Sequence, residues 1–135
     1  MRRLTAIGLV GAVPMLLLVL AADAQQQEQV DLRILAYDKG PAKIDVSKYP
    51  ADMQARYKAF AVKCGKCHTL ARAINSEFVL DDEWERYVKR MMRKAGTFIS
   101  PEEGKQIFEF VTYDSKVRKK ELYAQRLKEA EPAGP

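Results

Sequence analysis

The hydrophobic and polar positions of this 135-residue chain repeat at the spacing of α-helices along much of its length. The first predicted helix begins at Pro50, which suits the first position of a helix. Steps of three and four residues then place a set of apolar side chains on one face. This face carries Met53, Tyr57, Phe60, Ala61, Cys64, Cys67 and His68. We therefore predict one helix whose apolar face continues to His68.

A second helix has clear signals at both ends. Asp81 or Asp82 can cap its start, and Gly96 ends it. Its apolar members are Trp84, Tyr87, Val88, Met91 and Ala95. The opposite side is strongly charged, so the pattern predicts an amphipathic helix with one buried face.

A third helix is predicted to begin at Ser100. Ser100 is the cap, Pro101 the first helical residue and Glu103 the partner in a capping box. Its predicted inward face consists of Gly104, Ile107, Phe108, Phe110 and Val111. No strand pair is indicated, so the predicted fold class is all-α with about three core helices.

The N-terminal residues 1–24 have the pattern of a secretory signal. Arg2 and Arg3 precede an apolar stretch over residues 4–22, and small residues then suit cleavage before Gln25. We expect export to a bacterial periplasm. The apolar stretch is close to the length that spans a bilayer, so an uncleaved membrane anchor is the alternative.

The rest of the chain divides into three parts. Residues 25–46 are predicted to form an N-terminal arm, extended or partly disordered, because their pattern is mixed and includes turn residues. Residues 47–114 are predicted to form the folded domain. Residues 115–135 are predicted to form a charged helical tail, because good helix formers there carry little apolar surface.

Both cysteines and the only histidine of the chain lie within Cys64-Gly65-Lys66-Cys67-His68. This Cys-x-x-Cys-His motif is typical of covalent attachment of haem c, with two thioether bonds from the cysteines and the histidine as an iron ligand. A zinc site would lack a fourth ligand, and a thioredoxin-like motif would need a βαβ setting. We predict one haem c, attached through Cys64 and Cys67 and ligated by His68.

The second iron ligand is sought among the methionines because the chain has no second histidine. Met53 would lie about 22 Å from His68 along the same helix, too far to reach the other side of the iron. On the second helix, taking Trp84 as zero, Met91 falls at about −20° and Met92 at about +80°. The phase favours Met91, and Met92 stays open as the alternative.

Several other side chains have two interpretations each. Arg72 and Trp84 could hydrogen-bond the haem propionates, or be a solvated charge and a core residue respectively. Lys63 and Lys66 flank the motif and could form a cationic docking rim. The basic residues 116–120 could extend that rim or form a solvated helix face. The net charge of +5 favours acidic partner proteins, and nucleic acid is a poor fit for a secreted haem protein.

Residues 50–113 resemble the small monohaem class I cytochromes c of bacteria. The resemblance rests on Cys64-Gly65-Lys66-Cys67-His68-Thr69-Leu70, Arg72, Glu83-Trp84, Val88, Arg90-Met91, Gly96 and the helix at Ser100. It implies a class I cytochrome c-like fold and electron transfer between larger redox proteins. It also implies that Met91 of the Arg-Met pair is the distal ligand. Met91 follows His68 by only 23 residues, which is shorter than in mitochondrial-type members.

These observations lead us to expect a periplasmic one-electron carrier with His68 and Met91 as axial ligands. Both axial positions would be filled by the protein, so we do not expect an enzyme. Two alternatives stay open: a haem subunit of a larger oxidoreductase, and a small-ligand sensor or peroxidase-like protein with a labile distal ligand.

Overall fold

The computed structural model describes residues 31–131, and over that range the chain is all-α, as predicted. The helices are α1 (Leu32–Asp38), α2 (Ala51–Cys64), α3 (Ala71–Ile74), α4 (Asp81–Ala95), α5 (Pro101–Arg118) and α6 (Lys120–Ala130). A short 3₁₀ turn, Gly96–Phe98, follows α4. The predicted secretory signal lies outside the described residues. None of the helices described here is long and apolar enough to cross a membrane.

The hydrophobic core lies in the compact unit Arg33–Pro135 and is built by α2, α4 and α5. Phe60 of α2 and Phe110 of α5 are almost fully buried, with ring centroids 5.4 Å apart. Trp84 of α4 and Ile107 of α5 belong to the same cluster. Burying side chains of this size contributes about 1.5–3 kcal/mol each. The three predicted core helices are therefore confirmed as the elements that hold the fold together.

Helix α4 begins and ends close to the predicted residues. Gly96 ends it with φ of +60°, a backbone conformation that residues with a side chain rarely adopt. At its start the cap is Leu80 rather than Asp81 or Asp82. The Glu83 carboxylate accepts hydrogen bonds from the Val79 and Leu80 backbone N–H groups, both at 3.0 Å. The start of α4 is therefore fixed by an acidic residue of its first turn, as predicted. That residue is Glu83 rather than Asp81 or Asp82.

The predicted capping box of α5 is confirmed. Ser100 Oγ accepts a hydrogen bond from the Glu103 N–H at 3.2 Å, and the Glu103 carboxylate accepts one from the Ser100 N–H at 2.9 Å. Pro101 is the first helical residue. These local contacts set where α5 starts and so fix its register against α2 and α4.

The prediction of one continuous helix from Pro50 to His68 is wrong. Helix α2 ends at Cys64, and Cys67 and His68 lie in the turn that follows. Gly65 donates its N–H to the Ala61 carbonyl at 3.1 Å, and a Cβ at position 65 would lie only 2.6 Å from that oxygen. The close approach requires glycine at position 65, the residue directly after the last helical residue, Cys64.

The N-terminal arm is more ordered in its described part than we predicted. Residues 32–38 form helix α1 rather than an extended segment. The Asn75 side-chain amide donates to the backbone carbonyls of Tyr37 and Pro41, at 3.0 and 3.1 Å. Because α1 is too short to be stable alone, these long-range contacts explain its order.

The predicted boundary between the folded domain and the charged tail, at residues 114 and 115, is wrong because it falls inside helix α5. Helix α5 runs to Arg118, and Ser115 is fully buried. The Arg118 guanidinium donates to the Ile74 carbonyl at 2.9 Å, and the Lys119 ammonium donates to the Ser76 carbonyl at 2.6 Å. Within the basic residues 116–120, these two side chains therefore fasten the α3–α4 connection. Lys116 and Lys120 of the same run are exposed, as the interpretation as a solvated helix face expects.

Candidate functional site

A cavity of about 390 Å³ lies between α1, the turn after α2, and α4. This volume falls in the range of about 300–1,000 Å³ that is usual for small-molecule and cofactor sites. Five of the six predicted site residues line it: Cys64, Cys67, His68, Arg72 and Met91. Trp84 does not line this cavity. The fold thus brings residues that are up to 27 positions apart in the chain around one space.

The two cysteines differ in their surroundings. Cys64 closes α2 and is partly buried, whereas Cys67 lies exposed in the following turn. The two thiols are not joined in a disulfide. Burial raises the pKa of the Cys64 thiol to about 12, so it stays protonated at neutral pH. A protonated thiol is a poor nucleophile, so Cys64 is not an activated thiolate in this arrangement.

The His68 ring is oriented by a backbone carbonyl. Its Nδ1 lies 2.9 Å from the Thr69 carbonyl oxygen, within hydrogen-bond distance. A proton on Nδ1 donated to that oxygen leaves the Nε2 lone pair available to a metal. The sequence analysis did not identify Thr69 as the residue that orients His68.

The described residues do not offer a zinc site of the usual kind. Among residues 31–131 there is no group of three or more histidine, cysteine, aspartate or glutamate side chains placed to hold a metal ion. Structural zinc is normally held by four protein ligands.

The two adjacent methionines face different surroundings. Met91 lines the cavity that contains His68. Met92 packs against α5 instead: a Cβ placed on Gly104 would lie 2.4 Å from the Met92 sulfur. Of the two candidates for a distal ligand, the structure places only Met91 in that cavity.

Arg72 lines the cavity but already has an acidic partner. Its guanidinium donates two hydrogen bonds to the Asp38 carboxylate, at 3.0 and 2.5 Å. This contact holds the pKa of the Asp38 carboxyl below its ordinary value. The pair joins α3 to α1, which places Ile34 of α1 against the cavity. Two of the three guanidinium nitrogens of Arg72 are therefore engaged by Asp38, so the side chain is not simply solvated.

Trp84 lies in the core rather than at the cavity. Only 2% of its surface is exposed, and its indole N–H donates to Ser115 Oγ at 2.8 Å. In one of the two interpretations from the sequence this N–H group reaches a haem propionate, whereas in the structure its acceptor lies on α5. The second interpretation from the sequence, a core tryptophan, fits this placement.

Tyr87 is the main site residue that the sequence analysis missed, because it was counted only among the apolar members of its helix. It lines the cavity and is 9% exposed. Among the described residues its hydroxyl has no hydrogen-bond partner. Burial raises the pKa of Tyr87 to about 12, which keeps the hydroxyl protonated. Its position one helical turn before Met91 was the available signal.

Cationic side chains also line the cavity: Lys63, Arg72, Arg90 and Lys94. The Lys63 ammonium, which we predicted for a docking rim together with Lys66, donates to Glu103 at 2.9 Å and to the Phe98 carbonyl at 2.8 Å. Lys66 is exposed on the motif turn. Comparisons with protein-family models, curated proteins and solved structures give no match to this chain.

Proposed function

We propose that this protein is a periplasmic one-electron carrier that holds a single haem c in a class I cytochrome c-like fold. The observation that carries the proposal is the shared cavity. Cys64, Cys67 and His68 reach it from the end of α2, and Met91 reaches it from α4. This combination is the one that a covalent haem with one histidine and one methionine ligand requires.

Each of these residues has a defined task in the proposal. Cys64 and Cys67 hold the group through thioether bonds. His68 ligates the iron through Nε2, while the Thr69 carbonyl fixes the orientation of the ring. Met91 supplies the second axial ligand. The haem iron provides the one-electron couple, and ligation by histidine and methionine favours a high reduction potential.

Apolar side chains form part of the cavity wall and support this assignment. Ile99 is 6% exposed, and Ile34 lines the cavity from α1. Apolar surroundings lower the local dielectric constant, which is one of the means by which a protein tunes a redox centre. With both axial positions filled by the protein, no open position is left for a substrate, so we propose a carrier rather than an enzyme.

The proposed location and partners rest on the sequence. The secretory pattern of residues 1–24 supports export to the periplasm. The positive net charge supports redox partners with acidic docking surfaces, and such association is steered by charge and weakened by salt.

Absorption spectra of the purified full chain in both redox states test the proposal. We expect the spectrum of a covalent haem c, with the weak long-wavelength band of a methionine–iron bond in the oxidised protein. Met91→Ala should remove that band. The matched control Met92→Ala should keep it, because Met92 packs against α5.

Three outcomes would overturn the proposal or one of its parts. Absence of covalent haem from protein produced with a complete haem-attachment system would refute the cofactor. Rapid binding of carbon monoxide by the ferrous protein at neutral pH would show an open iron, and would favour the ligand-sensor alternative. Retention of the long-wavelength band in Met91→Ala would refute Met91 as the ligand.

A further inference from the structure

Three polar side chains of α4 line the cavity beside Met91. Tyr87, Arg90 and Lys94 follow one another at steps of three and four residues, so they lie on one side of the helix. The Arg90 guanidinium lies 5.6 Å from the centre of the Tyr87 ring. We call these three residues the α4 stripe.

The two cations of the α4 stripe have no carboxylate partner among the described residues. On the outer side of the same helix Arg86 pairs with Asp82 at 2.6 Å and Lys89 pairs with Glu85 at 2.7 Å, whereas Arg93 also has no carboxylate partner in the described part of the chain. Like charges four residues apart, such as Arg90 and Lys94, are unfavourable by about 0.2–0.5 kcal/mol. An anionic ligand in the cavity would relieve this repulsion between Arg90 and Lys94.

The Tyr87 hydroxyl is a third polar group without a partner. The residue is more than nine-tenths buried, and its hydroxyl has no acceptor among residues 31–131. The charges that act on it, from Cys64, Arg72, Arg90 and Asp38, belong to residues at or next to the cavity. The hydroxyl and the two cations can therefore all donate hydrogen bonds to one anionic group in the cavity.

We infer that Tyr87, Arg90 and Lys94 bind the carboxylates of the molecule that occupies the cavity. The inference rests on the proposed function, in which these carboxylates are the two propionates of the haem. It differs from the pair predicted from the sequence: Arg72 already donates to Asp38, and the Trp84 indole N–H donates to Ser115. Arg90 and Lys94 are exposed, and a carboxylate in the cavity would accept charge-assisted hydrogen bonds from them, which an uncharged apolar ligand could not do.

This assignment has an electrostatic consequence for the iron. Arg90 and Lys94 neutralise two negative charges close to the metal. Replacing either residue by glutamine leaves one carboxylate charge uncompensated, and this charge stabilises the ferric state. The reduction potential should fall as a result.

The test compares four variants of the haem-loaded full chain by two measurements: the reduction potential and the propionate bending band in the resonance Raman spectrum. Arg90→Gln and Lys94→Gln should lower the potential and shift the band. Tyr87→Phe should shift the band without a change of formal charge, and it keeps the ring that packs in the core. Arg93→Gln is the matched control, since Arg93 is exposed on α4 and does not line the cavity.

Two results would overturn the inference. One is a propionate band that stays in place in all three stripe variants. The other is a fall in reduction potential for Arg90→Gln and Lys94→Gln that is no larger than for Arg93→Gln. It would mean that Arg90 and Lys94 act only through the overall charge of the protein or in partner docking. Either result with covalent haem present, as judged by mass, leaves the proposed function intact. Absence of haem would refute the proposed function instead.

Discussion

Replacing Ser115 with alanine removes the hydrogen-bond acceptor of the Trp84 indole. The variant therefore tests whether Trp84 is a core residue rather than a ligand-binding one. Ser115 Oγ accepts the indole N–H of Trp84 and donates to the Val111 carbonyl, both at 2.8 Å. Ser115 is fully buried and Trp84 is 2% exposed, so water cannot replace the lost oxygen. The Ser115→Ala variant therefore leaves the indole N–H buried without an acceptor.

The size of the effect follows from these contacts. A buried donor that loses its acceptor costs about 1–3 kcal/mol. Alanine recovers about 0.5 kcal/mol of intrinsic helix propensity relative to serine. The Val111 carbonyl loses little, because it is an interior helix carbonyl with its backbone partner in place. We expect Ser115→Ala to lower the free energy of unfolding by about 1–2 kcal/mol.

Urea unfolding followed by circular dichroism measures this loss, and the dependence on denaturant should be unchanged. Trp84→Phe removes the N–H group, so adding Ser115→Ala to that variant should cost much less than it does in the wild type. The double-mutant cycle should give a coupling of about 1 kcal/mol. The reduction potential should be the same in Ser115→Ala as in the wild type.

A coupling indistinguishable from zero would refute the reasoning. The indole N–H would then have another acceptor, and the prediction from the sequence that Trp84 reaches a haem propionate would stand again. A change of reduction potential in Trp84→Phe larger than in the stripe variants would point the same way.

Two further predictions concern the contacts that hold the outer elements. Burial lowers the pKa of Lys119 from 10.5 to about 8, so the folded state loses this proton before the unfolded state does. Stability should therefore rise with pH above about 8, and between pH 7 and 9 the wild type should gain about 1 kcal/mol relative to Lys119→Met in urea unfolding. A constant difference would contradict this. Asp38→Asn weakens the hold of Arg72 on α1, so amide hydrogen exchange should accelerate over residues 33–38 and not in α5. Unchanged exchange in α1 would show that other contacts hold it.

Helices α4 and α5 could be predicted from the sequence because local chemistry fixes their ends. Gly96 ends α4 through its backbone conformation, and Ser100 and Glu103 cap each other across one turn of α5. Helix α1 could not be predicted in this way. Its seven residues are held by contacts with Arg72 and Asn75, more than 30 positions later in the chain.

The candidate site, too, could be predicted from the sequence where the signal is local. The motif that ends at His68 is contiguous in the chain, and the helical phase of α4 separates Met91 from Met92. The hydrogen-bond acceptor of the Trp84 N–H could not be predicted in this way. That group could reach a ligand or another helix, and only the position of Ser115 on α5 decides between them. Tyr87 was missed for a related reason. An aromatic residue on an apolar face packs in the core or lines a cavity, and the helical pattern is the same in both cases.

The cavity walls come from distant parts of the chain, since Ile34 and Ile99 are 65 residues apart. No short segment can enclose a ligand, so enclosure has to wait for the whole unit to fold. The motif from Cys64 to His68, in contrast, presents both thiols and the imidazole within five consecutive residues. Attachment and enclosure are therefore separable in time: under the proposed function, the unfolded chain can be joined to its haem at the motif first and fold around it afterwards.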